Sequence, residues 1–103
     1  MALAFPAYHT ELFSSGIAAT ELHRNVRECL VALSWTIEEE KDDGFVAVTD
    51  INLRSFGERV SINLLPDNFI QITSKCVLMT QCFDWGKNKA NVTKFIAEFT
   101  RHV

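Results

Sequence analysis

The sequence predicts an α+β fold in which two amphipathic helices cover one face of an antiparallel sheet. Two segments carry apolar residues at helical spacing, and the segments between them alternate apolar and polar residues, separated by turn-forming residues. Strands that follow one another through short turns form a meander most simply. We therefore expect a two-layer sandwich: an antiparallel sheet of four to five strands in a meander, with both helices on one face, in a single domain over residues 1–103.

The first elements are predicted to be a strand and a helix. Residues 4–13 hold aromatic and aliphatic side chains among polar ones, which suggests an edge strand. Ser14-Ser15-Gly16 is typical of a turn, and a serine there is able to cap the helix that follows. Residues 17–33 are predicted to be that helix because one face collects Leu22, Val26, Cys29, Leu30 and Leu33.

The middle of the chain reads as two hairpins. Alternation begins at Trp35, and the acidic run 38–43 leads into Asp43-Gly44, a strong hairpin signal before the returning strand 45–49. The acidic run is interpreted as a solvated hairpin tip, since it lacks the ligand spacing of a calcium loop. Residues 60–64 alternate again, Pro66-Asp67-Asn68 predicts a second tight turn, and the next strand covers 69–74.

The last element is predicted to be a helix over residues 87–101. Its apolar face consists of Val92, Phe95, Ile96 and Phe99, at helical spacing. Asp84 or Asn88 is able to cap it by accepting hydrogen bonds from free backbone N–H groups.

Composition and charge exclude several classes of protein. The net charge of −3 argues against a nucleic-acid partner, which usually requires a basic surface. No apolar run approaches the roughly 20 residues that span a bilayer, so we expect no membrane insertion, and Met1–Thr10 does not resemble a signal peptide. Three cysteines without a C-x-x-C pair predict buried, reduced thiols in a cytoplasmic protein.

No catalytic, cofactor or metal signature is present in the sequence. Glycine-rich nucleotide motifs, a nucleophile elbow and a zinc-protease motif are all missing, and His9, His23 and His102 are scattered. We therefore expect no cofactor and no metal, and the chain is more simply a binding protein than an enzyme.

The densest group of functional residue types is the run from Asp84 to Asn91. Lysines near a helix start favour anions, and an adjacent aromatic ring offers an apolar platform. The predicted ligand or partner site consists of Gln81, Trp85, Lys87, Asn88 and Lys89. A structural alternative remains open, in which Asp84 caps the helix, Gly86 turns the backbone and Trp85 packs over the joint.

The segment from Ser55 to Phe95 carries a recognisable pattern. It contains Ser55-Phe56-Gly57-Glu58, an alternating strand, Ser74 and then Gln81-x-x-Asp84-Trp85-Gly86-Lys87-Asn88-Lys89-x-Asn91. This pattern resembles a small, functionally uncharacterised bacterial α+β domain that occurs alone or as a soluble extension of membrane proteins such as rhomboid-like ones. Phe56 stands where that domain usually has Trp. The resemblance implies a domain identity but no activity or ligand.

Three functional hypotheses follow. The first is a non-catalytic binding or protein-interaction module that recognises a protein or a small anionic ligand through the residues around 81–91. The second is a small enzyme whose site forms around Asp84, with Ser74 or a histidine as its partner. The third is a self-associating structural domain, a homodimer joined by an open sheet face or edge.

Overall fold

The computed structural model describes residues 8–49, 57–76 and 87–102. In chain order these residues form β1 (Tyr8–Ser14), α1 (Ala19–Ala32), β2 (Thr36–Lys41), β3 (Gly44–Val48), β4 (Glu58–Leu64), a 3₁₀ turn (Pro66–Asn68), β5 (Phe69–Cys76) and α2 (Lys87–His102). The sheet order is β1-β5-β4-β3-β2, and every neighbouring pair is antiparallel. The predicted α+β class is confirmed: β2 to β5 form the meander, and β1 is added beside β5 as an edge strand.

The core lies between both helices and one face of the sheet. Strand alternation brings Val60 and Ile62 of β4 beside Ile72 and Ser74 of β5, because the register pairs Val60 with Ser74 and Ile62 with Ile72. The helices close this face with side chains at helical spacing. Buried apolar residues that the helices contribute are Leu22, Val26, Cys29 and Leu30 from α1, and Val92, Phe95 and Phe99 from α2.

The predicted serine cap of α1 is wrong. The helix is preceded by Ala18, whose side chain accepts no capping hydrogen bond. The hydroxyl oxygen of Ser15 instead accepts a hydrogen bond from the Ile17 backbone N–H at 3.3 Å. The Ser15 hydroxyl thus stabilises a turn that ends before the helix begins, and it caps no backbone group of α1 itself.

The first hairpin turns one residue earlier than predicted. Lys41 pairs with Gly44, so Asp42 and Asp43 form the turn and Gly44 is already the first residue of β3. A Cβ atom at Gly44 would lie 2.6 Å from the carbonyl oxygen of Ile62. The glycine is therefore required by a close approach between β3 and β4 rather than by the turn.

The acidic run is part of strand β2 as well as of the turn. Three of its carboxyl groups face cations: Glu38 pairs with Arg59 at 3.1 Å, Glu39 with Lys41 at 2.9 Å, and Glu40 with Arg27. The hydrogen bond from Arg27, above all other influences, lowers the pKa of Glu40. These side chains are exposed at the β2 edge of the sheet, as expected for a solvated segment.

Candidate functional site

The start of α2 rests on a buried polar network formed by Thr49, Glu58, Ser74, Asn88 and Asn91. All five residues are classed as buried, and both Ser74 and Asn88 are 0% exposed. The network joins the first turns of α2 to the ends of β3, β4 and β5. The run that was predicted to hold a ligand site therefore begins, within the described residues, as a joint between helix and sheet.

A chain of side-chain hydrogen bonds links α2 to the sheet. The Asn91 amide nitrogen donates to Oε1 of Glu58 at 2.9 Å and to Oγ of Ser74 at 3.2 Å. The Ser74 hydroxyl in turn donates to Oδ1 of Asn88 at 2.8 Å. The Asn91 amide thus donates hydrogen bonds to two strands, β4 and β5, and these bonds fix the rotation of α2 about its own axis.

Thr49 completes the network on the β3 side. Its hydroxyl donates to Oε1 of Glu58 at 3.1 Å and accepts from the Glu58 backbone N–H at 2.8 Å. The Thr49 backbone N–H also donates to the Glu58 carbonyl oxygen at 2.9 Å, which extends the β3–β4 ladder by one residue. No buried side-chain nitrogen or oxygen in the described ranges lacks a partner. A satisfied network of this kind specifies one packing arrangement rather than storing reactive groups.

The geometry around Ser74 bears on its proposed role as a nucleophile. A serine nucleophile needs a base within hydrogen-bond reach to take its proton. The Ser74 hydroxyl is 0% exposed, and its side-chain partners are the amide groups of Asn88 and Asn91, which do not accept protons at neutral pH. This arrangement suits a structural hydroxyl.

The structure gives different positions to the predicted ligand residues. Lys87 is the first residue of α2, Asn88 is buried against Ser74, and Lys89 is exposed. The predicted capping role of Asn88 is wrong, because Asn88 lies inside the helix. Its side-chain oxygen Oδ1 accepts a hydrogen bond from the Ser74 hydroxyl. Gln81, Asp84 and Trp85 lie outside the described residues.

Sequence reasoning missed Glu58 and Asn91 as members of this joint, although the sequence contains the signal. The apolar face of α2 extends backwards at the same helical spacing, from Phe95 to Asn91 and from Val92 to Asn88. The alternation of β4 likewise extends back from Ile62 and Val60 to Glu58. Polar residues at inward-facing positions of two neighbouring elements are expected to bond to each other, since burying them alone is costly.

His9, His23 and Cys29 occupy separate structural positions. His9 contacts Glu11 at 2.9 Å, and His23 lies against Phe45 with ring centroids 4.6 Å apart. In the part of the chain that the structure describes, no three side chains of metal-binding type lie together. Cys29 is a buried free thiol that donates to the Phe95 carbonyl oxygen at 3.7 Å. Burial, and secondarily the charge of Glu98, raises the pKa of Cys29 to about 12, so this thiol is unreactive at neutral pH.

Comparisons with known proteins assign no family to this chain. No protein-family model matches it, and curated proteins yield no significant match. Of the helices within residues 8–49, 57–76 and 87–102, none has the length and apolar character needed to cross a membrane.

Proposed function

We propose that this chain is a non-catalytic binding or protein-interaction module whose recognition surface is the segment 81–91. In this proposal Trp85 supplies an apolar platform, Lys87 and Lys89 supply positive charge, and Gln81 supplies hydrogen bonds. The partner is a protein segment or small ligand that carries negative charge. Membership in the small bacterial domain that the motif resembles is part of the proposal, although that resemblance implies no activity or ligand of its own.

The observation that carries the proposal is the division of labour at the start of α2. The polar side chains of types that catalytic sites often use, Glu58 and Ser74, are buried and accept hydrogen bonds from the amide of Asn91. Lys89, one residue beyond Asn88, is exposed and forms no ion pair with any described residue. A rigid internal joint at the start of the same helix as an exposed charge without a described ion-pair partner supports binding rather than bond making.

Charge elsewhere on the surface supports the same assignment. The exposed carboxyl groups of β2 are largely paired with cations, whereas Lys75, Lys89 and Lys94 are exposed without an ion pair to a described residue. Lys89 differs from the other two because it lies in the motif, beside Trp85 and Lys87 in sequence. A cation without an ion pair to a described residue, close in sequence to an aromatic residue, suits a partner with carboxylate or phosphate groups.

A reducing cytoplasmic location belongs to the proposal as well. It is supported by Cys29, which is held as a buried free thiol in the core.

The test is a titration of ¹⁵N-labelled protein with two anionic probes, inorganic phosphate and a hexaglutamate peptide. We expect amide shifts to concentrate at Lys89, Ala90 and the preceding residues for at least one probe. Lys87→Ala/Lys89→Ala should weaken that binding about tenfold, since a charge–charge contact at a protein surface contributes up to about 1 kcal/mol. Thermal unfolding should change little, because Lys89 has no described partner to lose.

A matched control removes the same charge from other positions. Lys75→Ala/Lys94→Ala deletes two exposed lysines that form no ion pair within the described ranges, one on β5 and one further along α2. This control should retain nearly all of the binding. Equal losses in both double variants would reduce the effect to net charge, and an absence of shifts around α2 with both probes would contradict the proposed surface.

A further inference from the structure

The outer edge of β1 offers backbone hydrogen-bonding groups with no partner strand among the described residues. β1 pairs with β5 on one side only. The Ser15 backbone N–H donates to the Asn68 backbone carbonyl oxygen at 2.9 Å, which continues the β1–β5 register. Because hydrogen-bonded pairs alternate in antiparallel strands, the odd-numbered residues of β1 bond to β5. The backbone groups of Tyr8, Thr10 and Leu12 therefore point to the open edge.

The same three residues present side chains on the sheet face opposite the helices. Their inner-face neighbours His9, Glu11 and Phe13 are half-buried, while Tyr8 is 52% and Leu12 is 59% exposed. Large apolar side chains on an edge strand are uncommon without a covering partner, because such an edge is prone to pairing. The edge of β1 thus combines exposed apolar area with backbone groups that pair with no other described strand.

We propose that β1 pairs antiparallel with β1 of a second copy, about a two-fold axis at Thr10, so that two sheets join into one. Thr10 then faces Thr10 of the second copy, and Tyr8 faces its Leu12. Each of these facing pairs exchanges both backbone hydrogen bonds, because all three residues direct their backbone groups to the edge. Each Tyr8 ring covers a Leu12 side chain that is otherwise in water, a favourable kind of cross-strand pair.

The charges of β1 select this register over its neighbours. Centred on Thr10, the strand pair brings His9 opposite Glu11 of the second copy, an imidazole donor facing a carboxyl acceptor, on both sides of the axis. Centring on Glu11 would oppose the two Glu11 carboxyl groups, which destabilises a strand pair. Centring on Leu12 would place Glu11 opposite Phe13. His9 and Glu11 already contact each other within one strand at 2.9 Å, so both side chains occupy the required face.

The interface is small, and the dimer should be weak. A single strand pair falls below the roughly 1,200 Å² of standard interfaces, so we expect association that depends on protein concentration. Sedimentation equilibrium should show the average mass rising from one copy towards two as the concentration increases.

Thr10→Pro tests the backbone contribution. Proline removes the Thr10 N–H, which faces the edge and is not used by the β1–β5 ladder, so folding should survive while association is lost. Thr10→Val is the matched control: it removes the hydroxyl that contacts Thr73 at 2.9 Å but keeps the N–H, and should retain the dimer. Circular dichroism checks that both variants are folded.

A cross-linking pair tests the register independently of Thr10→Pro. Facing residues of a hydrogen-bonded pair have Cα atoms about 5.5 Å apart, within the range that a disulfide spans. Thr10→Cys should therefore oxidise to a covalent dimer. Glu11→Cys should not, since Glu11 faces His9 of the second copy rather than its own counterpart.

The results decide between occupants of the edge. A concentration-dependent dimer that Thr10→Pro abolishes, with cross-linking at position 10 alone, supports the second copy. A wild type that stays monomeric at the highest concentration overturns the proposal, leaving the edge to a strand of another protein or to solvent. A dimer that survives Thr10→Pro, or that cross-links equally through position 11, overturns it as well. None of these results depends on Lys87 or Lys89, so they leave the proposed anionic partner to its own test.

Discussion

The carboxyl group of Glu58 is the most demanding single group in the described core. It is 3% exposed, and burying a carboxyl group without donors is costly. Oε1 accepts hydrogen bonds from the Thr49 hydroxyl and from the Asn91 amide. An asparagine on the inner face of α2 therefore reduces the free-energy cost of burying a carboxyl group in β4.

Asn91→Ala is expected to destabilise the fold more than any exposed substitution in α2. It removes the donor to both Glu58 and Ser74, and leaving buried groups short of a partner costs about 2 kcal/mol. Thr93→Ala, an exposed neighbour on the same helix, is the control and should change stability by no more than about 0.5 kcal/mol. Urea unfolding of both variants measures the difference.

A double-mutant cycle with Glu58→Gln shows whether the carboxyl group causes this cost. Glu58→Gln keeps the side-chain shape but removes the acid, so Asn91→Ala should cost less in that background. Strictly additive effects, or an Asn91→Ala variant as stable as Thr93→Ala, would contradict the role assigned to this amide.

At the level of elements, regular patterns in the sequence predict the fold well and local hydrogen bonds poorly. The 3.6-residue spacing predicts α2 over 87–101, and the observed helix is Lys87–His102. Alternation predicts β4 from Val60 onwards, and the strand adds only Glu58 and Arg59 at its start. Periodicity reports which face is buried, and burial of apolar area decides where an element forms.

Turns and caps depend on contacts that periodicity does not contain. Asp43-Gly44 is a good turn sequence, but Gly44 is placed in β3 by the approach of the Ile62 carbonyl, which lies 18 residues away in the chain. Asn88 is a good cap residue, but Ser74 of β5 draws it inwards. In both cases a tertiary contact overrides a local preference, and the tertiary partner is known only once the sheet register is known.

The attachment of β1 gives a prediction about one element. Besides its ladder with β5, β1 is held by Phe13, whose ring meets Phe99 of α2 edge-on at 5.9 Å. Phe99→Leu should cost about 1–2 kcal/mol, since it shortens a buried side chain that is 1% exposed and loses this aromatic contact. Native-state hydrogen exchange should show the largest loss of protection at the amides of Glu11 and Phe13.

Phe45→Leu provides the control for this local effect. Phe45 is also buried, but it lies in β3 and contacts His23 of α1. Its shortening should reduce protection in β3 before β1. If both variants lowered the protection of β1 and β3 equally, the sheet would open as one unit. The contact between Phe99 and Phe13 would then have no separate role in holding β1.

For the whole molecule, the sequence already shows a charge imbalance, and the structure shows how much of it is neutralised. Residues 1–50 carry nine acidic and three basic side chains, and residues 51–103 carry four acidic and seven basic ones. Glu38 pairs with Arg59, so part of the imbalance is cancelled between the two halves of the chain. Pairing across the sheet was not predictable from composition, because it depends on strand order. Among the described residues, Lys75, Lys89 and Lys94 are exposed basic side chains without an ion pair to another described residue.

This distribution predicts different salt responses for the two proposed surfaces: salt should weaken anion binding and leave strand pairing almost unchanged. Binding of the hexaglutamate probe at Lys89 is an interaction between exposed charges, which ions screen over about 8 Å at physiological ionic strength and about 3 Å at 1 M. Its affinity should fall several-fold between 50 mM and 500 mM sodium chloride.

Pairing of β1 with a second copy rests on backbone hydrogen bonds and on contact between Tyr8 and Leu12, which salt does not screen. The dimer dissociation constant should therefore change by less than about twofold over the same range, as sedimentation equilibrium can measure. A dimer that dissolves in salt would show that charges between His9 and Glu11, rather than the strand edge, hold the two copies together. Probe binding that ignores salt would show that Trp85 or another apolar group, rather than the lysines, carries recognition at the start of α2.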